Sequence, residues 1–228
     1  MDLYPLFNSL RIALISTSIV FFAGVFVAYY TSMVPAFLKG VLDTVFTLPL
    51  VLPPTVVGFM LLKIFGPKSY IGALFLDLFD FRFTMNWWSA VIATSVVIFP
   101  LMYRTARGAF QTFDRNLSDV GRTLGLSNSY IFWKIIMPNC NQGIIAGVVL
   151  SFARALGEYG ATSMVAGYTP GKTATISTTV YQLWSTNNDV LAFKWVVLNI
   201  LISIIVLYVI SYIENSNHLK EAKHVSNS

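Results

Sequence analysis

Two ionisable side chains stand four residues apart in an otherwise apolar stretch: Arg154 and Glu158, within Phe152-Ala153-Arg154-Ala155-Leu156-Gly157-Glu158-Tyr159-Gly160-Ala161-Thr162. On a helix that spacing sets both on one face, where pairing lowers the cost of each in an apolar medium. Such a pair has three readings. Arg154 could attract an anion, the pair could be a latch that opens between two states, or it could be a static tie between helices. A permanent, strong anion site would slow release, because conduction needs weak binding. The other suggestive stretch is Ala166-Gly167-Tyr168-Thr169-Pro170-Gly171-Lys172-Thr173, whose Gly-Lys-Thr imitates a phosphate loop. The glycine required five residues before Gly171 is Ala166 instead, so no nucleotide site is expected in this chain. Catalysis has little else to draw on. His218 and His224 lie in a polar tail, the carboxylates inside apolar runs do not come as a pair, and neither a nucleophile elbow nor a zinc-protease helix pattern occurs. Neither an enzyme nor a metal site is expected.

The elements that must carry these residues belong to a membrane. Of 228 residues, 56% are hydrophobic and only 11% charged, with a mean hydropathy of +0.68. A soluble surface of this size needs far more charge. Lipid removes that need, provided each backbone polar group is satisfied inside a helix. The reading is therefore all-α, one polytopic bundle filling residues 1–228. A span takes roughly 20 apolar residues, and five runs qualify: about 9–30, 40–65, 87–110, 143–167 and 191–213. Tyr29-Tyr30 and Trp87-Trp88 suit membrane interfaces. The amino terminus lacks a basic flank and a cleavage pattern, so its apolar run is expected to stay as a helix. Five basic residues in 104–134 make this the most positive connection, hence cytoplasmic. That choice places the amino terminus outside and the carboxyl terminus, with Lys220 and Lys223, inside. The tail 215–228 is polar and expected to fray. The net charge of +5 is spread along the chain and fails the basic-patch criterion for nucleic-acid binding. Lone Cys140 reads as packing.

Two interruptions of apolarity point to function. Pro49, Pro53 and Pro54 fall within six residues of the second run; each removes a donor and clashes one turn back, costing about 3 kcal/mol in an ordinary helix. A broken helix at membrane depth is tolerated only when buried in protein or lining a water-filled cavity. A half-helix restarting after Pro54 would aim its positive amino end at that cavity and attract an anion without a fixed charge; alternatively the prolines are a packing kink, with Thr55 and Gly58 as close-packing residues. The second interruption is the polar connection 113–138. Leu117, Val120 and Leu124 sit at helical spacing, Gly125 stops that helix, and a second helical stretch over 129–136 leads into Met137-Pro138. Such a helix-turn-helix either presents an apolar ridge to a groove on another protein or rests on lipid headgroups. Further on, Ile176, Val180, Leu183 and Trp184 predict a short amphipathic helix, interfacial or re-entrant, or else an outer cap with no part in transport.

Asp119-Val120-Gly121, Gly125 and Ile135-Ile136-Met137-Pro138 keep the spacing of a cytoplasmic loop. That loop resembles the one in permease subunits of binding-protein-dependent ABC importers. There the first three positions are typically Glu-Ala-Ala and the end Leu-Pro; the alanine departures alter the surface that would meet an ATPase. Leu48-Pro49-Leu50-Val51-Leu52-Pro53-Pro54-Thr55-Val56-Val57-Gly58 and the Phe152–Thr162 block narrow the resemblance to molybdate, tungstate and sulfate permeases. Thr169-Pro170-Gly171-Lys172-Thr173, with Thr175-Ile176 and Tyr181, tilts it to molybdate. The resemblance implies a homodimeric pore in the cell membrane for a tetrahedral oxyanion. It also implies two separate ATPase subunits, which would hold ATP and magnesium, and an extracytoplasmic oxyanion-binding protein. The ATPase-docking residues would be Asp119, Val120, Gly121, Leu124, Gly125, Leu126 and Pro138. The pathway or gate would use Pro49, Pro53, Pro54, Thr55, Gly58, Arg154, Glu158 and Thr162. The reading from another class is a structural or assembly membrane protein without transport.

Overall fold

The computed structural model describes residues 2–226, with side chains as far as Tyr208. The chain runs α1 (Tyr4–Met33), α2 (Ala36–Val51), α3 (Pro54–Phe65), α4 (Tyr70–Phe79), α5 (Trp87–Thr112), α6 (Arg115–Thr123) and α7 (Asn128–Ile131). A π-helical turn, Phe132–Ile136, then leads to α8 (Met137–Asn139), α9 (Asn141–Leu156), α10 (Gly160–Val165), α11 (Ile176–Ser185) and α12 (Asp189–Ser226). Three helices are long and apolar enough to cross a bilayer: Tyr4–Met33, Trp87–Thr112 and Asp189–Tyr208. Two bent pairs pass the same test of length and apolarity only when taken together, α2 with α3 at 110° and Asn128–Asn139 with α9 at 74°, the geometry of a broken span or a re-entrant segment.

The core is a three-helix sandwich of α1, α5 and α9, and small residues make it possible. Ala13, Ala28, Ala90, Ala93 and Ala106 have no exposed surface. Gly24 lies so close to Met102 that an added Cβ would meet its Cγ at 2.8 Å, and Gly143 would meet the Ala109 Cβ at 2.7 Å. In lipid, where hydrophobicity gives helices no reason to associate, close backbone approach of this kind supplies the packing energy. At one end polar clips close the bundle. Tyr4 Oη donates to Lys172 O (2.7 Å), Asn8 Nδ2 to Ala174 O (2.9 Å), Trp87 Nε1 to Asn8 Oδ1 (2.8 Å), and Ile176 N to Ser9 Oγ (2.9 Å). The opposite end is aromatic: Tyr29 meets Phe132 at 4.6 Å and Phe110 at 5.7 Å between ring centroids. Residues 113–140 thus sit on the end of the bundle remote from Tyr4.

Several boundaries differ from the sequence reading. The run 40–65 is two helices: α2 passes straight through Pro49 and ends at Val51, and the break falls at Leu52 and Pro53. The run 143–167 is also two, because α9 stops at Leu156 and α10 begins only at Gly160. The helix α4, 10 residues between Pro67 and Asp80, is half the length of a span and lies outside the five apolar runs. The expected frayed tail 215–228 has helical backbone to Ser226, continuing α12; the side chains of His218, Lys220, Lys223 and His224 lie outside the described residues.

Gly58 and Gly40 offer a controlled comparison. A Cβ on Gly58 would lie 2.8 Å from the Ala161 Cα, whereas one on Gly40 meets nothing within 4 Å. Gly58→Ala should lower the thermal midpoint in detergent micelles, a loss of about 1–3 kcal/mol from overpacking. Gly40→Ala should raise it, by about 0.5–1 kcal/mol of helix propensity. Equal effects from the two substitutions would contradict the tight α3–α10 contact.

Candidate functional site

The two sequence blocks that interrupt the membrane helices meet. Gly58 of α3 lies against Ala161 and Met164 of α10, and Gly160 lies against Pro54 and Thr55, where an added Cβ would meet the Pro54 Cβ at 2.9 Å. The amino-terminal turns of two half-helices therefore converge at one spot. Each handles its unpaired donors differently. Pro53 and Pro54 carry no N–H, and Val56 N and Val57 N both turn back to Pro53 O (2.9 and 3.2 Å). At α10 the carboxylate of Glu158 serves, its Oε1 accepting from Ala161 N at 2.8 Å. A negative side chain at a helix amino end is also favoured by the helix dipole.

Arg154 and Glu158 do pair, Nη1 to Oε2 at 2.7 Å, with side-chain exposures of 35% and 1%. They are not on one helical face, however. Glu158 lies beyond the end of α9, after Gly157, where the chain turns to start α10. The spacing gave the right partners by the wrong geometry: Glu158 ties the end of one half-helix to the start of the next. Thr162 is buried, 3.4 Å from Thr94 of α5 through their hydroxyls. Thr55 and Pro53 are exposed beside the break. Pro49 is not with them; it borders an apolar cleft with Val20 and Ala23 of α1 and Phe99 of α5.

One polar cluster was missed. Asp43 of α2 accepts from Tyr103 Oη at 2.5 Å and forms an ion pair with Arg107, both on α5. Tyr103 is wholly buried, and the Asp43 and Arg107 side chains are only 23% and 18% exposed. The signal was available: Asp43 is the sole carboxylate of the run 40–65, and Tyr103 and Arg107 stand four apart. Since α2 itself has no buried residue, this cluster and the edge-to-face contacts of Phe46 with Phe99 and Tyr103 fasten it to the bundle.

In the loop at the other end, α6 closes with a full glycine cap: Gly125 at φ 74°, Gly125 N bonded to Arg122 O (2.9 Å) and Leu126 N to Gly121 O (3.1 Å). The expected docking residues divide into two sets. Val120 and Leu124 are 58% and 72% exposed, with Leu117, 45% exposed, beside them on the same helix, and Asp119 pairs with Arg122 on the surface at 2.9 Å. Gly121 faces inward, where a Cβ would meet Ile131 and Ile135 at 3.2 Å, and Leu126 packs on the core. Pro138 is exposed in α8, just after the π-helical turn. The stretch 166–175 has no phosphate-loop geometry: Thr169 O collects the amides of Lys172, Thr173 and Ala174, and the loop follows helix α10 rather than a strand.

Two substitution pairs test these roles through the thermal midpoint. Asp43→Asn leaves Arg107 unpaired in a low-dielectric site and should cost about 3 kcal/mol, while Tyr103→Phe loses one hydrogen bond, about 1 kcal/mol. Glu158→Gln keeps an acceptor for Ala161 N, so it should be milder than Glu158→Ala, which also forfeits a cap worth about 1 kcal/mol. A reversed order in either pair would refute the assignment.

Comparison with known proteins agrees with this architecture. The family described as "Binding-protein-dependent transport system inner membrane component" matches residues 20–216. A putative molybdenum transport system permease protein of Bacillus subtilis is 40% identical over 206 residues, 90% of this chain and 91% of the relative. The molybdenum transport system permease protein of Escherichia coli K12 is 45% identical over 148 residues, 65% of each chain. A probable sulfate transport system permease protein of Chlorella vulgaris is 34% identical, over 62% of this chain and 53% of its own length. Among solved structures, a bacterial ABC transporter that imports the acidic polysaccharide alginate superposes with a TM-score of 0.73 at 16% identity, covering 94% of this chain and 79% of that one. The MetNI methionine ABC transporter gives 0.70 at 12% identity, covering 93% and 94%. With most of its length matched and its broken helices and capped loop in place, the chain belongs to the family of inner membrane components of binding-protein-dependent transport systems.

Proposed function

We propose that the chain is the pore-forming subunit of an ATP-driven importer of molybdate. The observation that carries the substrate is the 40% identity to a molybdenum permease across nine-tenths of both chains. What supports the mechanism is the pairing of two broken helices with an exposed apolar ridge at one end of the bundle. Two copies would enclose the pathway, a binding protein would deliver the anion at the end clipped by Tyr4 and Asn8, and two ATPase subunits would dock at the other. ATP and magnesium would reside in those subunits. The loop end is then cytoplasmic, which sets the start of α1 outside.

Chemically, the site treats its cargo lightly. Around the convergence of α3 and α10 the fixed charges are Arg154 and Glu158, already neutralising each other, and the Pro53-Pro54 start deletes two donors that would otherwise grip an oxyanion. We assign Pro53, Pro54, Thr55, Gly58, Glu158 and Thr162 to the gate between the two facings, with Arg154 in the latch. Asp119, Val120, Leu124 and Pro138 form the outer surface of the ATPase seat; Gly121 and Leu126 shape it from within, and exposed Gly125 turns the chain at its edge.

Proteoliposomes holding the chain with its cognate ATPase and binding protein should take up molybdate only with ATP, and vanadate should stop it. Uptake indifferent to ATP would sink the mechanism, and sulfate transported in preference would sink the substrate. Leu124→Asp puts a charge on the apolar ridge and should abolish ATPase co-purification while the chain remains in the membrane. Unchanged co-purification would remove α6 from the docking surface.

A further inference from the structure

Four cavities follow one another along α1, adjacent ones sharing lining residues, and together they make a groove that winds from the α6-facing side of the helix to its α2-facing side. The first, about 260 Å³, lies between the end of α1 and α6 and is lined by Tyr29, Ser32, Arg115, Ser118 and Arg122 among others. A second, about 330 Å³, shares Tyr29 and Arg122 with it and adds Asn128, Ser129 and Trp133. The third, about 270 Å³, shares Phe26 and Tyr30 with the second but is walled by Val27, Leu42 and Phe46. The fourth, also about 270 Å³, shares Phe46 and continues past Ala23 to Ile19. The groove is thus polar and basic at the loop end and apolar for the rest.

Its dimensions and charge select an occupant. From Tyr30 to Ile19 is eleven residues of helix, about 17 Å at 1.5 Å per residue, close to half of a hydrocarbon core roughly 30 Å thick. One acyl chain fills that length. At the other end Arg115 has only a 3.5 Å approach to Ser32 O. Arg122 pairs with Asp119, both more than half exposed, an interaction that contributes little in water. Both guanidiniums can turn to a phosphodiester, which accepts their paired N–H groups better than a single carbonyl. Tyr29, Tyr30 and Trp133 mark headgroup depth. We infer that this groove binds one anionic phospholipid, its phosphodiester between Arg115 and Arg122 and an acyl chain along Phe26, Phe46 and Ala23. The inference needs only a bilayer and is independent of the transported substrate.

The full chain is reconstituted in phosphatidylcholine vesicles containing a minor share of phosphatidylglycerol, re-extracted, and weighed with its retained lipid by native mass spectrometry. Retained phosphatidylglycerol should exceed its share of the vesicle. The double variant Arg115→Gln/Arg122→Gln should lose it by about tenfold or more, two basic side chains' worth of headgroup attraction. Ala23→Phe, which fills the apolar part and leaves both arginines, should lose it several-fold. Inorganic phosphate in excess should leave the lipid bound; displacement would reduce the site to a phosphate site. Four further results would overturn the proposal. These are equal retention of the two lipids, retention unchanged in both variants, release of the lipid when the ATPase is added, and dissociation of two copies by Ala23→Phe without lipid loss, which would make the groove a subunit interface.

Discussion

Hydrocarbon offers a released peptide group nothing to bond with, so every break in a membrane helix must be covered by the protein itself. This chain breaks twice and covers each break with the other. The starts of α3 and α10 abut through Gly58 and Gly160, which leave no space for a side chain between them. Prolines delete the donors on one side, and a buried carboxylate meets them on the other. The remaining helices are arranged around that need: α1, α5 and α9 pack through alanine and glycine into a dense support, and Thr94 of α5 reaches the back of α10.

The same support links the two ends of the molecule. The helix α5 carries Tyr103 and Arg107, which hold α2, and three residues after its end Arg115 begins α6. The loop helices in turn lean on α1 and α5 through Phe132, Tyr29 and Phe110. The loop helices and the helices that carry the breaks are thus joined through packed rings and one partly buried ion pair rather than through flexible connections.

Much of this was legible in the sequence. Apolar runs and interfacial aromatics located the three uninterrupted helices, because span length is dictated by the bilayer. Gly125 announced the end of α6, because a positive φ favours glycine. The breaks were half legible. Proline marked the first but not its position: α2 carries Pro49 in its interior, a placement that membrane helices tolerate. The second break was hidden by an i,i+4 spacing that assumed a continuous helix; Gly157 and Gly160, flanking Glu158, were the overlooked sign. Asp43 could be seen but not paired, since its partners are 60 and 64 positions away in the chain, and only the fold brings them together.

The glycine contact between α3 and α10 has a mechanical corollary. Each half-helix is joined to its longer partner by a short bent segment, Leu52 with Pro53 on one side and Gly157 to Tyr159 on the other. While their faces stay interlocked, the two halves make a single leaf hung on two hinges. A leaf so hung cannot swing at one hinge alone: rotation at either must be matched at the other, so α2 and α9 are geared together through the pieces that interrupt them.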